Sequence, residues 1–194
     1  IHFPDHPDVP AVDALARGTD LRFRMEPAQL EAVSGTGQFG NAFDAGGDRF
    51  TVWNNDHIRH VVMQQRYAAA NPSLAVRSPM QSISDHGNAA PVFSITRQPM
   101  NIHESEIGHF TSACGISVAE GGTFPPGYQG SVFMCDPVHN LVHADRLTAA
   151  GATFTASRAV ENHEFLASTD SWFRPVFTTT GPDGAIYVVD FYRK

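Results

Sequence analysis

Apolar and polar residues alternate in short extended runs along this chain, not in the three-and-four spacing of amphipathic helices. Arg49-Phe50-Thr51-Val52-Trp53 alternates cleanly, and Ser131-Val132-Phe133-Met134-Cys135 does so less cleanly; both read as strands. Val176-Phe177-Thr178-Thr179 and Ala185-Ile186-Tyr187-Val188-Val189 flank Gly181-Pro182-Asp183-Gly184. Proline presets φ and glycine supplies a positive φ, so this stretch reads as a hairpin. The helix signal is weak, because 13 prolines and 16 glycines punctuate the chain. One short helix fits His57 to Ala70, closed by Pro72, and a strand over Ile58 to Met63 fits the same residues equally well.

A glycine-turn-strand phrase recurs. Gly46-Gly47 leads into Phe50 to Trp53, Gly127 to Gly130 into Val132 to Cys135, and Asp183-Gly184 into Ile186 to Val189. Gly47 and Gly130 lie 83 positions apart, and Gly130 and Gly184 lie 54 apart. Propeller blades repeat every ~40–50 residues, so the first interval reads as one blade plus an insertion. The expected organisation is a single all-β domain, part of a β-propeller, with blade-like units at about 20–66, 108–150 and 151–194. A loop-rich insertion, about 67–107, separates the first two. A propeller needs ~4 blades or more to close, so other segments or chains would have to complete this one.

Composition removes several functions. The 194 residues carry a net charge of −7, the wrong sign for neutralising nucleic-acid phosphates. Lys194 is the only lysine, so no P-loop, Schiff-base or kinase lysine is available in the interior. No apolar run approaches the ~20 residues of a spanning helix, which predicts no direct membrane span. The first residue is not Met, and we expect a processed chain or part of a longer one.

Candidate chemistry lies in the histidines. Gly35-Thr36-Gly37-Gln38-Phe39-Gly40 matches a dinucleotide fingerprint, but turn and strand follow it where the fingerprint needs a helix. Ten histidines are many for this length. His57 and His60, His86, His109, and the pair His139 and His143 all sit near the ends of expected strands, where they could act as bases or bind a metal. No H-E-x-x-H motif and no G-x-S-x-G elbow is present. Cys114 and Cys135 are not in a C-x-x-C arrangement, and they read as a disulfide or as two buried thiols. In Trp172-Phe173-Arg174-Pro175, an arginine between aromatics could clamp a planar anion or simply cap a core.

Seven segments together resemble one family. They are Ser34 to Gly40, Asn54 to His60, Ile83 to Gly87, Phe110 to Gly115, Cys135 to His143, Glu164 to Val176 and Gly181 to Asp190. They resemble the membrane-bound dehydrogenase family of planctomycetes and verrucomicrobia, the PVC-type haem-binding proteins, over about Arg17 to Arg193. That resemblance implies a propeller similar to PQQ-dependent sugar dehydrogenases: three to four blades of four-stranded antiparallel sheet here, out of six in the whole. It also implies export to the periplasm or beyond. In the family the propeller precedes helical repeats and a haem domain, but this chain has no covalent haem motif.

The implied activity is oxidation of a sugar or alcohol. A histidine would take the hydroxyl proton while hydride passes to PQQ, with Arg and Ca²⁺ stabilising the oxyanion and a cytochrome accepting the electrons. On the same resemblance His139, Arg174, Trp172 and Asn140 would contact the cofactor. His57 and His139 are candidates for the base, although the catalytic histidine of the family is expected in the absent blades. Asn55, Asp56 and His57 are candidate metal ligands. Thr36 stands where a cofactor-binding Arg is expected, a departure that favours a rival reading, a non-catalytic propeller serving as a binding or assembly module. A third reading is a metal-dependent, lactonase-like propeller, in which Asn54, Asn55, Asp56 and His57 would converge on one ion.

Overall fold

The computed structural model describes residues 18–26, 29–73, 75–97, 106–119 and 124–193. It is all-β, built of several antiparallel sheets, none closed.

A hairpin of β1 (Asp20–Arg24) and β2 (Gln29–Val33) comes first. The first large sheet follows as a meander, β3 (Asn41–Phe43), β4 (Arg49–Trp53), β5 (Asp56–Val61) and β6 (Met80–Ser82), each strand beside its sequence neighbour. Arg49 fastens the hairpin to this sheet: its guanidinium reaches Asp20 Oδ2 at 2.5 Å and donates to the Ser34 carbonyl at 2.7 Å. Both readings of residues 57–70 are realised in succession. β5 covers the first part, and a one-turn helix α1 (Gln65–Ala69) follows.

The second sheet repeats the meander with β7 (Cys114–Val118), β8 (Ser131–Asp136), β9 (Leu141–Ala150) and β10 (Thr153–Arg158). A short strand β11 (Leu166–Ala167) pairs with the start of β9. β10 belongs to this second sheet and not to the last unit of the sequence reading. The 67–107 stretch likewise contributes β6 to the first sheet. The final hairpin, β12 (Pro175–Thr180) and β13 (Ile186–Asp190), turns at Gly181–Gly184 as its sequence predicts, with Gly184 at φ 78°.

β8 is buried along its whole length, which is why its alternation is imperfect: both faces are packed. Val132 and Met134 face the first sheet, in a core with Phe50, Val52, Ile58 and Ile116. Phe133 and Cys135 point the other way and join Cys114, Val142 and Ala144, against which Ile186 and Val188 of β13 pack.

The first strands of the sheets approach backbone to backbone. Gly115 N donates to the Phe39 carbonyl at 2.8 Å, and Thr178 Oγ1 reaches the Gly115 carbonyl at 3.3 Å. A Cβ on Gly40 would lie 2.9 Å from Ile116 N; one on Gly115 would lie 2.3 Å from the Val176 carbonyl oxygen. Glycine is required at both positions by close approach, and at Gly115 also by its φ of 60°. Among the described residues no helix is long and apolar enough to cross a membrane.

Candidate metal centre

β9 alternates through the second sheet. Val142 and Ala144 enter the core shared with the last hairpin, so His143 and Asp145 project from the opposite face. There they meet His57, at the start of β5, and His86, on the strap that joins the two sheets. The strap bonds to both: Ile83 N donates to the Ile58 carbonyl, Asp85 N to Ala156, and Ala89 N to Asn55. Gly87, with φ 78°, supplies the bend beside His86.

Asp145 is the hub. Its Oδ2 lies 3.1 Å from His57 Nε2 and its Oδ1 2.9 Å from His143 Nε2. His86 Nε2 stands 3.9 Å from Oδ1, too far for a hydrogen bond. One ligand atom from each of the four residues lies within 4.8 Å of every other. His57, His143 and Asp145 are buried to 1% exposure or less. The rings of Phe110, His57 and His86 form a continuous stack, with centroid spacings of 4.3 and 4.8 Å, and His143 meets the first two edge-on.

Two of the histidines are backed by further carboxylates. His143 Nδ1 lies 2.6 Å from Glu164 Oε2, and His86 Nδ1 lies 2.7 Å from Asp85 Oδ1. Glu164 is held by the Phe93 amide at 2.9 Å, and Asp85 by Ser157 Oγ at 2.5 Å. A carboxylate behind an imidazole fixes its tautomer and leaves the far nitrogen to coordinate. His57 Nδ1 and His86 Nε2 are buried with no hydrogen-bond partner among the described residues. Such orphans cost free energy, and an ion between His86 and Asp145 would take up one of them.

Charge follows the geometry. Burial pushes the His143 imidazole down, but Asp145 and Glu164 on its two sides overcome it and raise its pKa to about 9. Burial lowers His57, and the Asp145 bond only partly offsets that, so His57 is the neutral partner. Burial would raise Asp145, but the bonds from His143 and His57 hold its carboxyl far below the usual carboxylate range. A metal would displace the proton that His143 carries between two carboxylates.

Of the residues singled out in the sequence, His57 belongs to this cluster. Its neighbours do not converge with it: Asn55 is exposed, and Asp56 takes hydrogen bonds from Arg59 at 2.5 Å and Ser82 at 2.8 Å. His60 is a core histidine between Phe50 and Phe154, bonded to Thr153 Oγ1 at 2.9 Å. Three imidazoles and one carboxylate do not fit Ca²⁺, which takes six to eight oxygens. They suit a borderline transition metal.

His139, Asn140, Arg174 and Trp172 gather elsewhere, where the β8–β9 turn meets the segment leading into β12. His139 Nδ1 lies 3.1 Å from Asp136 Oδ1 while its Nε2 accepts from the Gly108 amide at 3.1 Å, which assigns the Nδ1–H tautomer. Arg174, 5% exposed, donates to the carbonyls of Pro137 at 2.9 Å and Arg193 at 3.2 Å. Asn140, at φ 57°, donates to the Phe173 carbonyl. Trp172 is half-exposed and rests on Tyr192. As placed, the three buried side chains are committed to the chain itself and do not fit a bound quinone. Thr36 lies within the Gly35–Gly40 run, in the loop between β2 and β3.

Sequence reasoning noted His86 and His143 as histidines near strand ends but did not join them to His57; it passed over Asp145, and it assigned the Glu161/Glu164 pair to a solvated loop, whereas the Glu164 side chain is fully buried against His143. The usable signals were a histidine and an aspartate two apart on one strand, and an aspartate directly before a histidine. Nothing in the sequence places residues 57, 86 and 143 together.

The fold and the site thus define an all-β domain with a buried candidate centre of three histidines and one aspartate between two sheets. A family model for DUF7133, described as a domain of unknown function, matches residues 6–194, and the chain belongs to that family. No curated protein and no solved structure matches it.

Proposed function

We propose that this chain is a run of wedges from a β-propeller whose first two sheets are clamped by a transition-metal ion, Zn²⁺ foremost, held by His57, His86, His143 and Asp145. Two meanders in strict sequence order and the final hairpin, with the first strand of the second meander, β7, lying between β3 and β12, support the propeller arrangement. The observation that carries the metal reading is the convergence of four ligand atoms within 4.8 Å, most of them buried, with a carboxylate behind two of the imidazoles. Four protein ligands and a stacked Phe110 describe a closed site, the mark of structural rather than catalytic zinc. The role that follows is a rigid binding or assembly scaffold.

The experiment is elemental analysis of protein purified without a metal-affinity step. About one equivalent of zinc or another transition metal is expected, lost in His143→Ala and His86→Ala and restored to the chelated wild type by Zn²⁺ or Co²⁺. Wild-type protein that neither carries nor takes up such an ion would overturn the reading.

A second reading makes the propeller part of a PQQ-type sugar or alcohol dehydrogenase. It rests on the resemblance and on the gathering of His139, Asn140, Arg174 and Trp172 at one place, and it requires those side chains to leave the bonds they make here. PQQ-dependent dye reduction by the full-length protein over a panel of sugars is its test. No turnover together with no PQQ binding by calorimetry would end it.

A further inference from the structure

The metal centre makes no use of the two cysteines. Cys114 opens β7, Cys135 lies in β8, and the two are direct cross-strand partners. Opposed residues in an antiparallel pair project to the same face with Cα atoms about 4.5–5.5 Å apart, inside the ~4.4–6.8 Å window for a disulfide. In this structure both are free, buried thiols, and both side chains enter one apolar cluster with Phe133, Val142 and Ala144. A bulge at the next positions of β7, centred on Gly115, lets the strand adjust its twist beside the pair. They are the only two cysteines among these 194 residues.

We propose that Cys114 and Cys135 form a cross-strand disulfide, made during folding by exchange with a disulfide oxidant such as glutathione disulfide. The thiolate of one cysteine attacks the oxidant and expels one glutathione thiolate. The second cysteine then attacks the protein sulfur of the mixed disulfide and expels the other. Two protein thiols are oxidised, one glutathione disulfide is reduced to two glutathione thiols, and the two protons pass to those products. The timing follows from burial. Inside the folded sheet, burial pushes the Cys114 thiol up to about 12 and raises Cys135 as well, so the finished fold holds almost no attacking thiolate at neutral pH. Exchange must therefore precede the closing of β7 on β8, and the bond is a permanent clamp, not a switch.

The test is to refold the purified chain from guanidinium chloride in a glutathione redox buffer. Thiols are then counted by alkylation under denaturing conditions, with intact mass and a non-reducing gel as readouts. Expected are no alkylated thiols before reduction, two after it, and a monomer. Reduction in denaturant should lower the Tm by roughly 6–12 °C, since a bridge closing a loop of about 20 residues contributes in that range for a chain of this size. The Cys114→Ala/Cys135→Ala double variant should show no reductant-dependent shift. Two alkylated thiols after oxidative refolding, or a disulfide-linked dimer, would overturn the proposal. That readout is taken on the wild type, so it stands even if the double variant does not fold.

Discussion

His143 and Asp145 stand two residues apart on β9, on one face, and the imidazole Nε2 meets the carboxylate at 2.9 Å in a fully buried setting. Because Asp145 also faces His57 at 3.1 Å, a single carboxylate organises two buried imidazoles from different sheets. Asp145→Asn keeps the shape but removes the charge that balances protonated His143. In metal-free protein it should lower stability by about 3–5 kcal/mol, the usual cost of breaking a buried pair, read by urea unfolding. The same variant should fail to retain metal by elemental analysis.

Glu164 acts one step further out. It would not touch the ion, but it fixes the His143 ring from the far side at 2.6 Å. Glu164→Gln should weaken zinc binding by ~10–100-fold in competition with a chromogenic chelator while the circular dichroism stays unchanged. Asp85 plays the same part for His86, but its side chain is 45% exposed. Solvent can replace it, so Asp85→Asn should have a smaller effect.

Gly115→Ala should damage the fold without touching the metal ligands. The new methyl would sit 2.3 Å from the Val176 carbonyl oxygen, on a backbone that L-residues avoid. A loss of about 2–4 kcal/mol is expected in chemical denaturation, with bound metal in the folded fraction unchanged.

Acid stability should depend on Asp136. Burial pushes its carboxyl up, but hydrogen bonds from His139 and Ser112 overcome this and hold it below the ordinary Asp range. A depressed folded-state pKa means that the stabilisation is complete above the unfolded value of about 4, and is lost as pH falls from there through the folded value. Asp136→Asn should therefore narrow the stability gap to wild type below pH ~4. Above it, the variant should be less stable by a constant amount. Paired urea titrations across pH check this, and parallel curves at all pH values would refute the assignment.

The strands were legible because their cause is local. Phe50 and Val52 alternate with polar neighbours, and a Pro-Asp-Gly turn between two β-rich runs leaves few other outcomes. β10 was grouped with the wrong neighbour because a tight two-residue link at Gly151 continues the β9 meander, a fact of pairing and not of composition. His57 stood out because it follows two asparagines and an aspartate at a turn. Its true partners, His86, His143 and Asp145, could not be assembled from sequence, since their meeting depends on how two sheets face each other. His139 and Arg174 drew attention as chemistry-bearing types. Their polar atoms instead satisfy backbone and carboxylate groups at a turn, a use that leaves the same trace in a sequence.

The ligands come from β5, from the strap and from β9, so one bound ion would add a bond between two sheets that already meet through an apolar core and the backbone hydrogen bonds of the strap. Loaded protein should then melt as a single calorimetric event, whereas stripped protein could lose its two sheets in succession. Metal supply would thus govern whether the chain behaves as one cooperative body or two.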